Sequence, residues 1–156
     1  MPIRNAVLAA MQILSQEFVI GKNFIGDSKV CMILGDNIFH SDTFINKYLI
    51  PSFKKNISTV FGYYVNEPQR YGIIEIDKDN NILSIKEKPK SPKSNYAITG
   101  LYIYTSDVFN KVEKLKPSSR GETEITDLNN MYLKEKKLRV EIFKRGITWF
   151  DTGNFD

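Results

Sequence analysis

Cysteine is nearly missing from this chain. Cys31 is the single one, so no internal disulfide can form and a reducing compartment is expected. Histidine is as scarce, with His40 alone. A Cys–His nucleophile pair would have one combination to draw on, and Cys31 sits in an apolar run (Lys29 to Leu34, KVCMIL) that reads as core. No apolar stretch reaches the roughly 18 residues of a membrane-spanning helix, so no membrane partner is expected. The first twenty residues hold no glycine, which excludes a glycine-rich, anion-cradling loop there. They also lack a continuous apolar core followed by a small-residue cleavage site, so no secretory leader is expected and a cytoplasmic location is. No segment repeats at a fixed period.

What is present suits one soluble domain. The chain has 156 residues, 42% hydrophobic and 26% charged, enough to bury a core. The net charge is +4, from 22 Lys and Arg against 18 Asp and Glu. A basic stripe is the electrostatic footprint of a nucleic-acid binder. Here the longest basic cluster, Lys134 to Arg139, is interrupted by Glu135, and no nucleic-acid partner is expected. A mild positive field also steers small anionic substrates.

The apolar positions Val7, Leu8, Met11, Leu14 and Phe18 are spaced by one, three and four. This predicts an amphipathic helix over residues 6–24, stopping near Gly21. Lys29 to Leu34 reads as a buried strand ending at Gly35-Asp36. Ser41-Asp42 opens a helix to about Lys55. Strands follow at Thr59–Val65, Gly72–Asp77 and Ile82–Lys86, the last two joined by the turn signal Asp77-Lys78-Asp79-Asn80-Asn81. Tyr96–Tyr104 is a strand with Gly100 at its middle, a sign of close approach by a backbone or ligand. Helices are expected from Ser106 to about Leu115 and over Ile125–Leu133, and a strand over Leu138–Phe143. The alternation points to an α/β class with a mixed sheet.

Two carboxylates stand just past strands and beside glycines: Asp36 in Leu34-Gly35-Asp36-Asn37 and Asp151 in Phe150-Asp151-Thr152-Gly153. Ligands of open α/β sheets collect at strand ends, and Mg²⁺ is held by one or two carboxylates plus substrate phosphates. Either Asp alone reads equally well as a turn cap. Glu87-Lys88-Pro89 offers a carboxylate for hydroxyls and an ammonium for a phosphate, or a solvated charge run before a Pro-rich loop. Arg70-Tyr71-Gly72 opens a strand, and Gly72 would let a ligand approach the main chain.

Taken in register, these strings resemble the glucose-1-phosphate thymidylyltransferase family of nucleotidyltransferases. The likeness runs from Phe18 to Gly153. It is carried by Leu34-Gly35-Asp36-Asn37-Ile38-Phe39, Pro68-Gln69-Arg70-Tyr71-Gly72, Glu87-Lys88-Pro89-Lys90, Thr99-Gly100-Leu101-Tyr102, Arg120-Gly121-Glu122 with Glu124-Ile125-Thr126-Asp127, and Trp149-Phe150-Asp151-Thr152-Gly153. The resemblance implies the reaction of dTTP with glucose 1-phosphate to give dTDP-glucose and pyrophosphate, with Mg²⁺ as cofactor. It implies that Asp36 and Asp151 hold the metal, and that Asp36 and Lys88 serve catalysis. Tyr71, Gly72, Glu87, Lys88, Ile98 and Thr99 would bind the sugar phosphate.

The departures from the family are equally specific. The Gly-Gly-x-Gly-Thr-Arg loop that cradles the triphosphate is absent, and Ile13-Leu14-Ser15-Gln16 stands where the family has Gly-Leu-Ala-Gln. Residues 1–12 match nothing in the family. The resemblance therefore implies one partial domain over residues 1–156: a Rossmann-like nucleotidyltransferase fold lacking the first nucleotide-binding strand and the glycine-rich loop. Such a chain would be inactive alone, with Lys29–Leu34 an open sheet edge, or would pair with a second copy or a full-length homologue. The alternatives are a non-catalytic sugar-phosphate-binding or docking remnant, and a relative using another nucleoside triphosphate or hexose phosphate.

Overall fold

The computed structural model of the chain describes residues 6–10, 21–116 and 124–153. Nine strands and the helices between them are β1 (Ala6–Ala10), β2 (Val30–Leu34), β3 (Asn37–His40), α1 (Ile50–Lys54), β4 (Ser58–Tyr64), β5 (Gly72–Ile76), β6 (Ile82–Glu87), β7 (Tyr96–Tyr104), α2 (Val108–Val112), α3 (Ile125–Lys134), β8 (Leu138–Ile142) and β9 (Thr148–Asp151). Seven strands form one sheet in the order β1-β2-β7-β4-β8, and the β5–β6 hairpin joins it along β7. β1/β2 and β4/β8 are parallel, while β2/β7 and β4/β7 are antiparallel. The sheet is mixed, as expected. β3 and β9 form a separate antiparallel ribbon.

The start of the chain corrects the sequence reading. Ala6–Ala10 is a strand, not the first turn of a helix, and its five residues pair with all of β2. A short, continuous apolar run serves a buried strand as well as a helix face. The unpaired N–H and C=O groups along β2 decide between them, because an open edge leaves a row of unmet backbone groups. β2 is therefore not the open edge anticipated. Residues 11–20, the middle of the expected helix, lie outside the described residues. The helical turn at 21–25 passes Gly21 and stops at Gly26 instead. There φ is +56° and the Gly26 N–H donates to the Lys22 carbonyl at 2.9 Å, a left-handed cap suited to glycine.

Both faces of the sheet are covered, so its strands alternate between two apolar layers. Val30 and Met32 of β2 and Ile98, Tyr102 and Tyr104 of β7 face α2 and α3, where Val108, Phe109, Leu128 and Tyr132 meet them. Cys31, Leu101 and Ile103 face the other way, onto Tyr48, Phe143 and Ile147. The helix predicted after Ser41-Asp42 lies on that second side. Its first half is wound as a π-turn over Ile45–Leu49, with the Ile50 N–H donating to the Ile45 carbonyl. The widened turn precedes Pro51, which has no N–H to donate into a regular α-helix. The predicted hairpin turn also forms. Asp77 Oδ1 accepts the N–H groups of Asp79 and Asn81, each at 2.8 Å, and Asn80 takes φ +62°. Cys31 is 6% exposed, and burial pushes its thiol up to about 11. It is a core residue.

Candidate active site

The β3–β9 ribbon decides the site, because it joins stretches more than a hundred residues apart. Asn37 lies opposite Asp151 in its register, so the residue before β3 and the last residue of β9 meet. Thr152 tightens the junction: its N–H and its hydroxyl donate to the Asp36 carbonyl at 2.7 and 2.9 Å. The Asp36 and Asp151 carboxylates then converge over Gly153. A Cβ built on Gly153 would lie 2.4 Å from Asp36 Oδ2 and 3.3 Å from Asp151 Oδ1. The glycine thus leaves room for the Asp36 carboxylate, while Asp151 Oδ1 accepts the Gly153 N–H at 3.0 Å. Among the described residues no group of three or more His, Cys, Asp or Glu side chains is placed to hold a metal ion. Two hard oxygens with substrate oxygens completing the shell fit a divalent cation such as Mg²⁺.

These carboxylates sit at the mouth of a cavity of about 270 Å³ that also touches Arg70, Tyr71, Gly72, Glu87, Lys88, Ile98, Tyr102, Thr126, Asn129 and Trp149. That volume is at the small end for ligand pockets. Asp36, Lys88 and Gly153 are exposed at the rim, and Ile98, Gly100, Tyr102, Thr126, Asn129 and Trp149 are buried at the floor. Asp36, Tyr71, Gly72, Glu87, Lys88, Ile98 and Asp151 are therefore brought together.

Thr99 is not with them, which corrects the expectation for that residue. Successive side chains of β7 point to opposite faces. Ile98, Gly100 and Tyr102 face the cavity, while Thr99 is fully buried with its hydroxyl donating to the Phe61 carbonyl at 3.1 Å. It is a core residue whose one polar group is satisfied.

Local geometry holds each group in place. Gly72 lies opposite Glu87 across the hairpin; a Cβ there would come within 3.2 Å of Glu87 Oε2. The Thr126 hydroxyl, in the first turn of α3, donates to that same oxygen at 2.6 Å. Lys88 takes φ +36° as its N–H donates to the Tyr71 carbonyl at 3.1 Å. A lysine in this sparsely populated region costs conformational energy, and such residues cluster at functional sites. The Tyr71 ring packs on Trp149, with centroids 5.4 Å apart. Burial and then the Asp151 charge raise the Tyr71 hydroxyl above its ordinary pKa. Tyr102 is raised more strongly, first by burial and then by Glu87, Asp36 and Asp151. All three carboxylates therefore act on one tyrosine at the floor.

Asn37 and Trp149 emerge from the structure as site residues. Asn37 Oδ1 accepts from the Gly100 N–H at 2.9 Å and from Trp149 Nε1 at 2.6 Å. Its Nδ2 donates to Asp36 Oδ1 at 2.7 Å. The asparagine beside the aspartate in the Leu-Gly-Asp-Asn string was the available signal, but what it touches lies on β7 and β9. The close approach expected at Gly100 is this side chain: a Cβ on Gly100 would sit 2.4–2.7 Å from the Asn37 amide atoms. The Arg120-Gly121-Glu122 string lies outside the described residues.

The profile of the nucleotidyl transferase family matches residues 13–156. The chain belongs to that family. It is 47% identical over 151 residues to the glucose-1-phosphate thymidylyltransferase of Neisseria gonorrhoeae, covering 97% of this chain and 52% of the relative. It is 46% identical over 147 residues to the enzyme of the same name from Mycobacterium tuberculosis strain H37Rv, covering 92% and 49%. Among solved structures, an apo UDP-glucose pyrophosphorylase superposes with a TM-score of 0.78 at 27% identity, over 92% of this chain and 56% of that one. The fold is thus that of nucleotidyl transferases, and the chain spans about half the length of the curated relatives it matches. Every residue that lines the cavity lies inside the matched segment, 13–156.

Proposed function

We propose that this chain carries the hexose-phosphate and metal side of a glucose-1-phosphate thymidylyltransferase site, serving the Mg²⁺-dependent conversion of dTTP and glucose 1-phosphate to dTDP-glucose and pyrophosphate. The convergence of Asp36 and Asp151 over Gly153, at the mouth of a cavity floored by Tyr102 and flanked by Glu87 and Lys88, carries this reading. Bound between the two carboxylates, Mg²⁺ would neutralise charge on the reacting phosphate oxygens. The protein's own work is positioning. Glu87, fixed by Thr126, accepts from sugar hydroxyls. Lys88, held at the rim, pairs with the sugar phosphate as a point charge. Tyr71 and Trp149 wall the ring. Asn37 keeps Asp36 aimed by donating to the oxygen that does not face Gly153. The setting is cytoplasmic synthesis of nucleotide-sugar precursors for polysaccharides.

The chain contains no Gly-Gly-x-Gly-Thr-Arg string, so its expected behaviour alone is binding without turnover. Calorimetry with glucose 1-phosphate checks this. Heat of binding that needs Mg²⁺, and that falls at least about tenfold in affinity in Asp36→Asn and Asp151→Asn, is the expected result. Binding that ignores both Mg²⁺ and the two substitutions refutes the metal assignment, and robust pyrophosphate release from dTTP refutes the claim of inactivity.

A further inference from the structure

One side-chain amide serves two sides of the cavity. On the metal side, Asn37 Nδ2 donates to Asp36 Oδ1 at 2.7 Å. On the side that walls the sugar, Asn37 Oδ1 accepts from Trp149 Nε1 at 2.6 Å, and from the Gly100 N–H at 2.9 Å. A carboxamide is planar, so its oxygen and nitrogen turn together about one bond. Its two neighbours are themselves held. Thr152 donates twice to the Asp36 carbonyl and fixes that main chain. The Trp149 ring is 8% exposed and packs on Tyr71 and Tyr63, with centroids 5.4 and 5.7 Å away. The indole therefore cannot shift without drawing on Oδ1, and the Asp36 carboxylate cannot turn without drawing on Nδ2. Carboxylate, amide and indole form one unit that both ligand sides share.

We propose that Asn37 is a positioning residue that couples the two ligands of the site. A sugar ring seated against Tyr71 and Trp149 tightens the hold of Asp36 and Asp151 on a divalent cation, and the cation tightens the hold on the sugar by the same factor. The inference rests on the sugar and metal reading above and adds a link that does not pass through the phosphate. Whichever ligand binds first orders the shared unit, and the second then meets groups already in place. The two factors are equal by thermodynamic necessity. The cation is thus held best when a hexose is present, which ties metal loading to the sugar substrate.

The test is calorimetry on the purified chain with Mg²⁺ and 1,5-anhydroglucitol, a glucose ring with neither phosphate nor anomeric oxygen, so that no phosphate bridges ring and metal. In the wild type, saturating sugar should lower the Kd for Mg²⁺ about fivefold or more. Two variants cut the link from opposite ends. Asn37→Asp keeps an acceptor for Trp149 and Gly100 but removes the donor to Asp36. Its added charge alters the affinity for Mg²⁺ but cancels in the ratio of affinities with and without sugar. Trp149→Phe keeps an aromatic wall but removes the Nε1 donor. In each variant that ratio should fall to within about twofold of one. A wild-type ratio of one overturns the proposal, and so does a wild-type ratio that survives in either variant. Because either variant can impair folding, a further measurement uses the wild type alone. Trp149 is the only tryptophan, so its indole N–H gives a single resonance, which Mg²⁺ without sugar should shift. A resonance unmoved at saturating Mg²⁺ also overturns the link. A wild-type chain that binds neither Mg²⁺ nor glucose 1-phosphate fails the site reading itself, and is distinguishable from these outcomes.

Discussion

Gly100→Ala is the substitution the geometry constrains most tightly. The new methyl would lie 2.4 Å from Asn37 Nδ2, 2.5 Å from Cγ and 2.7 Å from Oδ1, distances no side chain tolerates. Gly100 is flanked in β7 by Ile98, paired with β4, and Leu101, paired with β2, so Asn37 is the part that must move. Its departure leaves two buried donors, the Gly100 N–H and Trp149 Nε1, without their acceptor. Overpacking costs about 1–3 kcal/mol and each orphaned donor another 1–3 kcal/mol or so, less whatever water recovers. A loss of about 3–5 kcal/mol follows, or roughly 10 °C in melting temperature for a domain of this size. Thermal and urea unfolding of wild type, Gly100→Ala, Asn37→Ala and the double variant measure it. In the Asn37→Ala background the clash is gone and the donors are already unpaired, so the added methyl should cost less than about 1 kcal/mol. A Gly100→Ala protein that melts within a degree or two of wild type would refute the reasoning. So would an equal loss in both backgrounds.

Thr126→Val removes the donor to Glu87 Oε2 and should lower stability by about 1 kcal/mol and weaken glucose 1-phosphate binding, with Thr126→Ser retaining both; a Val variant that binds like wild type would show that Glu87 needs no such support. Cys31 has its pKa raised from 9.0 to about 11 by burial, so the folded state holds its proton more tightly than the unfolded chain. That preference stabilises fully below about pH 9 and is lost as the pH rises through about 11. Wild type should therefore lose stability relative to Cys31→Val across that window, read as urea midpoints, and a gap independent of pH would contradict the burial.

Much of the fold was legible because the chain's periods are plain. The β5–β6 hairpin was readable from Asp77 to Asn81, where aspartate and asparagine supply the turn's own hydrogen bonds. Tyr96–Tyr104 read correctly as a strand by its aromatic and β-branched content, and Ile125–Leu133 as a helix by its apolar stripe, one residue short of its end at Lys134. The site residues were legible as strings, each weak alone. Thr99 misled because a string records neighbours in sequence, while a strand sends adjacent side chains to opposite faces.

The sequence by itself determined the α/β class, the turns and the set of polar residues from which a site could be built. These depend on interactions among residues close along the chain. Tertiary structure alone decided that Ala6–Ala10 is a strand, because the choice lay with the backbone groups of β2. It alone decided that Asp36 meets Asp151, because β3 finds β9 only when the chain between them has folded. Long-range pairing selects among states that local propensity leaves nearly equal, and in this protein the site is made where such pairing closes.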